Sequence, residues 1–163
     1  MIDPMRHLAA AGLGMFSLLA AAPALAAPGK SSGDFEESHA YWSNGQLPAT
    51  FHLTITMTVD GDTVSYRGVN STDRDHPHVA TWSGKLDGKR YAFDGGYFDH
   101  MALMKTGPDE FMIEKYRNGD LVVGEFWRYT AEGDEWVRHG VVARAAADGT
   151  SKSYIETFRR TKK

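Results

Sequence analysis

Four dipeptides, Asp60-Gly61, Asp87-Gly88, Asn118-Gly119 and Asp148-Gly149, punctuate this chain, and each sits between strand-like runs. A type I′ hairpin turn needs positive φ at both central positions, which Asn, Asp and Gly tolerate and bulky residues do not. Gly107-Pro108-Asp109 and Glu132-Gly133 add two further turn signals. Between them the residues alternate. Phe51, Leu53, Ile55, Met57 and Val59 interleave with His52, Thr54, Thr56 and Thr58, the period-two pattern of a half-buried strand. No later stretch carries a capped helical period, although a short helix or coil over 34–47 is compatible with the pattern. Turns at this spacing predict an all-β fold, an antiparallel up-and-down meander closing into a barrel of about 8–10 strands.

Two-residue loops fix an expected register. With Asn118-Gly119 as a loop, Arg117 faces Asp120, Lys115 faces Val122 and Phe111 faces Phe126. Extending this to the neighbouring hairpins places Phe98, His100, Ala102, Met104, Phe111, Ile113, Val122, Phe126, Arg128, Val137, His139, Val141 and Ala143 on one face. That face is the more apolar and is the expected interior. The opposite face holds Asp99, Glu114, Glu125, Trp127, Arg138 and Arg144. A slip of one residue exchanges the two faces.

The first 27 residues read as a cleavable export signal rather than as fold. Arg6 and His7 precede an apolar run from Leu8 to Leu19, and Ala24-Leu25-Ala26 follows Pro23. That order of basic start, apolar middle and small-residue cleavage site is the secretory pattern. The apolar run is too short for a membrane helix. The expected location is periplasmic or secreted. Residues 28–33 read as a flexible linker, and the remainder to residue 163 as one domain of a size that can bury a core. With no cysteine, the chain has no disulfide, no lipid-bearing thiol and no thiolate nucleophile. A net charge of -3 with mixed signs argues against a nucleic-acid footprint, which is basic and clustered.

The run Trp82-Ser83-Gly84-Lys85-Leu86-Asp87-Gly88-Lys89-Arg90-Tyr91 resembles a signature of small exported bacterial proteins described as lipocalin-like. The likeness continues through the Gly95-Gly96 break, a strand ending at Met104-Lys105, Glu110 to Tyr116, Asn118 to Val123, and a last strand with Tyr154 and Phe158. It covers most of 34–161 and is carried by turns and strands, not by catalytic residues. The resemblance implies a calycin-type barrel with a central cavity for a small apolar ligand. Two departures bear on the ligand. The Gly-x-Trp that opens many lipocalins is absent, since Ala40-Tyr41 precedes Trp42. The Arg-x-Tyr pair of fatty-acid-binding proteins is absent too, since Tyr129 directly follows Arg128.

Several residues are candidates for chemistry. In the expected register Arg128 and His139 point inward on adjacent strands, joined by Tyr154 and Glu156 if Asp148-Gly149 is a two-residue loop. An inward Arg suits a ligand carboxylate held bidentately; equally, it pairs with Glu156 or lies at the rim. Phe126, His100 and Trp82 complete the expected ligand-binding set. Trp82 shares a face with Tyr91 and Phe93, as core or as cavity wall. His100, His139 or the pair His76 and His78 offer an alternative as haem or metal ligands, although no third ligand has motif spacing. Trp127 opposite Arg138 reads as an exterior cation–π pair. No nucleophile elbow, zinc-protease motif or phosphate loop is present. The expected function is therefore non-enzymatic binding of a small hydrophobic or amphipathic molecule, without a cofactor. A filled barrel serving as a structural or protein-interaction module, with a protein partner, is the other alternative.

Overall fold

The computed structural model describes residues 29–143, 149 and 151–161. The expected export signal, with its boundary to the linker, lies outside the described residues, as does Asp148 of the fourth turn. Ten strands follow one another: β1 (Gly33–Trp42), β2 (Leu53–Asp60), β3 (Thr63–Asn70), β4 (His78–Lys85), β5 (Asp87–Asp94), β6 (His100–Gly107), β7 (Glu110–Arg117), β8 (Asp120–Tyr129), β9 (Glu135–Val142) and β10 (Ser153–Arg160). Each is antiparallel to its chain neighbours, and β1 pairs with β10 to close the barrel. The described residues hold no helix. The stretch 34–47, open between helix and coil in the sequence, supplies β1.

Among the described residues Asn118 is the one non-glycine with positive φ, so of the expected turns within them only Asn118-Gly119 has both central positions of that kind; the β2–β3 loop is Gly61-Asp62, with Asp60 paired to Thr63, and Asp87-Gly88 lies in β5. Asn118 and Gly119 have φ of 52° and 87°, and Arg117 pairs with Asp120 across them. Beyond that turn the expected register fails. Tyr116 faces Leu121, but Lys115 faces Val123, so Val122 is an extra residue. A one-residue β-bulge turns every later side chain of its strand to the other face. Phe111 therefore faces Trp127, not Phe126. A second bulge does the same to β6. Gly107 pairs with Glu110, yet Lys105 pairs with Phe111, leaving Thr106 extra. Phe111 and Ile113 point inward as expected. On the strands beside them the faces are exchanged: Met101, Leu103, Glu125, Trp127 and Arg138 are buried, while His100, Met104, Phe126, Arg128, His139 and Val141 are exposed.

The barrel axis at the end where β1 starts is occupied by aromatic rings. Tyr129, Trp136 and Phe158 stack, with centroids 5.5 Å and 4.4 Å apart, and Phe35 meets Trp136 edge-on at 6.1 Å. Residues 29–32, expected as a tether, cap this end instead. Ser31 and Ser32 are buried, and the Arg160 guanidinium donates to Ser32 O (2.6 Å), Lys30 O (2.6 Å) and Gly133 O (2.8 Å). A guanidinium carries five donors in a fixed fork, so one side chain can gather three carbonyls from two separate segments.

Candidate functional site

Halfway along the axis the interior turns polar. Glu125 of β8 is buried, and Lys115 Nζ of β7 lies 2.8 Å from its Oε1. Trp127 Nε1 donates to the same oxygen at 3.0 Å, and the Tyr154 hydroxyl donates to Oε2. Beside it, Arg138 of β9 donates through Nε (2.5 Å) and Nη2 to Glu156 Oε2 of β10, and Trp42 Nε1 donates to Glu156 Oε1 at 3.0 Å. Two cations meet two carboxylates, so the cluster is close to neutral. Burial pushes the Glu125 carboxyl up, but the charges of Lys115 and Arg138 and the hydrogen bonds from Lys115 and Tyr154 outweigh it and hold it at about 2. Burial, with Glu125 next to it, pushes the Tyr154 phenol up.

The sign of the acid response follows. A carboxyl depressed in the fold contributes stability above its unfolded value of 4.5, and this is lost as pH falls towards 2. The unfolding free energy measured in urea is therefore expected to fall between pH 4.5 and 2, by about 3 kcal/mol in the wild type. Glu125→Gln should flatten that dependence. An unchanged profile in the variant would show that Glu125 is not the responsible group.

The outer wall is different in character. Tyr41, Ile155, His139 and Phe126 pair in one continuous row across β1, β10, β9 and β8. The row continues through Met112 to Met104 on β7 and β6. Tyr41, Ile155 and Phe126 are 58%, 46% and 41% exposed, and Val141 in the next row is 53% exposed. On β2 and β3 the outward positions are Thr54, Thr56, Thr58, Ser65 and Arg67, so the apolar row belongs to one side of the barrel.

Glycines explain why this side has a hollow. Gly68, Gly84 and Gly140 sit within strands, and the volume that a side chain would fill is taken by Tyr66, by Trp82 and Tyr91, and by Tyr154 respectively. A Cβ at Gly140 would stand 2.7 Å from the Tyr154 ring and from Glu125 Cβ. Gly124 differs: a Cβ there would meet nothing within 4 Å. It is the only described glycine inside a strand of which this is so. Above it opens a groove of about 370 Å³, lined by Tyr41, Phe126, His139, Val141 and Ile155, with Tyr154 and Gly140 at its base. That is within the size range of small-molecule sites.

The sequence-derived candidates divide accordingly. Phe126, His139 and Tyr154 come together at the groove, although Phe126 and His139 reach it from outside the barrel rather than from within. Arg128, expected inward, is on the outer wall one register step away and pairs with Glu110 through Nε at 2.8 Å. The ion pair expected for Glu156 exists, but Arg138 makes it. Arg138 faces Trp127 as expected, inside the barrel instead of outside. Trp82 is core: it is buried, donates to Met101 O at 3.2 Å, and meets Tyr91 edge-on. His100, expected inward, is exposed and bonds Asp99 at 2.9 Å. His76 bonds Asp73, and His78 bonds Gly95 O. Among the described residues no group of three or more acidic or His side chains is placed to hold a metal ion.

Tyr41, Ile155 and Gly124 were not singled out from the sequence, and Val141 was named only as part of the expected interior face. Their signal was available as outward apolar residues around a strand glycine, but it depended on knowing which face was outward.

No protein-family model matches the chain, and no curated protein matches it. Among solved structures the chain is similar to a redesigned β-barrel, at 11% identity and a TM-score of 0.49, over 82% of this chain and 93% of that one.

Proposed function

We propose that this protein is an exported, non-enzymatic binding protein that holds a small hydrophobic or amphipathic molecule in the groove on its outer wall. The observation that carries this reading is the hollow over Gly124. A strand glycine with open space before it, ringed by exposed Tyr41, Phe126, Val141 and Ile155, is a concave apolar site with a few polar groups, the usual make-up of a ligand pocket. The exposed apolar row argues in the same direction, because contiguous apolar surface on a soluble domain marks interaction sites. Arg6, His7 and the apolar run after them support export to the periplasm or beyond. The buried cluster around Glu125 and Arg138 is already paired within itself and supports a structural role for the barrel interior.

The test is to fill the hollow. Gly124→Val adds a β-branched side chain where nothing stands within 4 Å. Valine suits a strand better than glycine, so stability should hold or rise by about 0.5–1 kcal/mol. Titration with 8-anilinonaphthalene-1-sulfonate should give saturable fluorescence enhancement with the folded wild type and none with the variant. Equal enhancement in both would place the probe elsewhere and defeat the reading. No enhancement in either would leave the filled-barrel interaction module as the better account.

A further inference from the structure

We infer that the ligand of this groove is an uncharged, flat ring compound bearing a hydroxyl group, its rings over Gly124 and its hydroxyl turned towards His139; this rests on the groove being the binding site. Among the described residues, none that lines it is an aspartate, glutamate, lysine or arginine. Its polar side chains are Tyr41 on β1, Ser153 on β10 and His139 on β9, whose ring stands edge-on to Phe126 at 6.3 Å. The two hydroxyls and the imidazole nitrogens make no hydrogen bond among the described residues. Tyr154 at the base has its hydroxyl engaged with Glu125 on the inner side of the wall. A hydroxyl and a neutral imidazole both donate and accept. Their complement is a group that also does both, which a hydroxyl is and a carboxylate or an ammonium is not.

Charge on the ligand is disfavoured for a separate reason. A charge carried into apolar surroundings is costly unless something pairs it. Arg128 and Glu114, charged residues of β8 and β7, do not line the groove. The Arg128 guanidinium is held laterally by Glu110, Nε to Oε2 at 2.8 Å. Glu114 faces Gly124 across the β7–β8 pair; its Oε2 accepts from the Tyr116 hydroxyl, and its Oε1 has no hydrogen bond among the described residues. An acid group over Gly124 would lie beside that carboxylate and be repelled by it. An ammonium would reach Glu114 only by leaving the lining and the three polar side chains on its other side.

Shape selects the rings. The lining crosses four adjacent strands, β8, β9, β10 and β1, about 14 Å at the spacing of strands. Along the strands it takes in only two outward rows, Gly124 with Val141 and Ser153, and Phe126 with His139, Ile155 and Tyr41, about 7 Å apart at the rise of a strand. A slot longer across the strands than along them, floored by bare backbone at Gly124, fits a fused pair of rings lying flat. Phe126 and Tyr41 stand at opposite ends of their row, and aromatic edges and faces reward a planar partner over a chain. A rigid ring also loses less conformational freedom on binding than an alkyl tail.

The experiment is calorimetric titration of the wild-type protein at neutral pH with 2-naphthol, 2-naphthoate, 2-naphthylmethylammonium and 1-decanol, repeated on His139→Phe, Arg128→Gln and Gly124→Val. His139 and Arg128 are exposed, so their variants should keep the wild-type melting temperature, which is checked alongside. Naphthol should bind tightest, with the naphthoate and the ammonium each about tenfold weaker. His139→Phe keeps a ring in the row but loses the hydrogen bond, and should weaken naphthol about fivefold. Arg128→Gln should leave every affinity unchanged, and Gly124→Val should abolish binding. Naphthol should also displace the anilinonaphthalene sulfonate, whose sulfonate can stay in water at the open side of the groove. Naphthoate or the ammonium binding tightest would overturn the uncharged ligand, and naphthol indifferent to His139→Phe would overturn the place of its hydroxyl. Decanol binding tightest would overturn the ring while leaving the groove as the site. Failure of all four probes together with the anilinonaphthalene sulfonate would remove the groove itself.

Discussion

Glu156→Ala should lower the unfolding free energy by about 3–5 kcal/mol, the range for breaking a buried ion pair from one side. Glu156 is 3% exposed and accepts three donors: Arg138 Nε, Arg138 Nη2 and Trp42 Nε1. Alanine leaves the Arg138 guanidinium desolvated, with only the neighbouring Glu125 to offset it, and strands the indole N–H. The cost is that of an uncompensated buried charge, not the strength of the pair itself. Two further variants separate those quantities. Glu156→Gln keeps an acceptor for Trp42 but loses the charge, and should fall between wild type and alanine. The double replacement Arg138→Met with Glu156→Leu removes both charges, and should recover most of the lost stability. Urea unfolding followed by tryptophan fluorescence measures all three. A loss under 1 kcal/mol for Glu156→Ala would mean that water reaches Arg138 and that the barrel is open at this level.

The same cluster shows where sequence reasoning stopped. Asn118-Gly119 was legible as a type I′ turn, and the structure puts Arg117 opposite Asp120 as that turn requires. The pairing of Trp127 with Arg138 was legible as well, as was the common face of Phe126 and His139. What was not legible was a pair of single extra residues, Thr106 and Val122, on the two strands flanking β7. Neither is a glycine or a proline, so neither carries a local mark. Each bulge reverses inside and outside for a whole strand. Phe126, Arg128 and His139 were thus grouped correctly with one another and assigned to the wrong side of the wall. Glu125 and Arg138 were placed outside because the assumed register put them on the less apolar face. Their burial becomes intelligible only once Lys115 and Glu156 are seen to meet them, and those pairings are set by bulges and by a β9–β10 register that no two-residue loop produces.

The groove was missed for a related reason. Gly124 reads in sequence as a residue that weakens a strand. Gly68, Gly84 and Gly140 read the same way, yet an aromatic ring fills the space before each of them. Only the three-dimensional arrangement separates a glycine covered by an aromatic ring from one that leaves a hollow. An antiparallel up-and-down meander of about 8–10 strands closing into a barrel followed from spacing and alternation; the count of ten, with β1 in the stretch left open between helix and coil, did not. The location of the site depended on which of two faces met water, and that is the property a single inserted residue inverts.

Trp136→Ala is expected to cost about 3–5 kcal/mol, and its value lies in what the resulting hole can bind. Trp136 is fully buried, stacked on Phe158 at 4.4 Å and on Tyr129 at 5.5 Å, with Phe35 and Trp127 against its other edges. No single neighbour can collapse into the space of an indole without leaving its own contacts. The hole is lined by rings, and apolar cavities of that kind stay dry and accept aromatic molecules. Added indole should therefore raise the melting temperature of Trp136→Ala and leave that of Trp136→Phe almost unmoved. Trp136 Nε1 is buried without a hydrogen-bond partner among the described residues, so phenylalanine also removes an unsatisfied donor and should cost much less than alanine. Indole stabilising the wild type through the barrel axis, insensitive to Gly124→Val, would show that the interior already holds an accessible cavity. The reverse result, with indole acting on the wild type only through the groove and on Trp136→Ala through the axis, would separate a filled barrel from the binding surface on its outside.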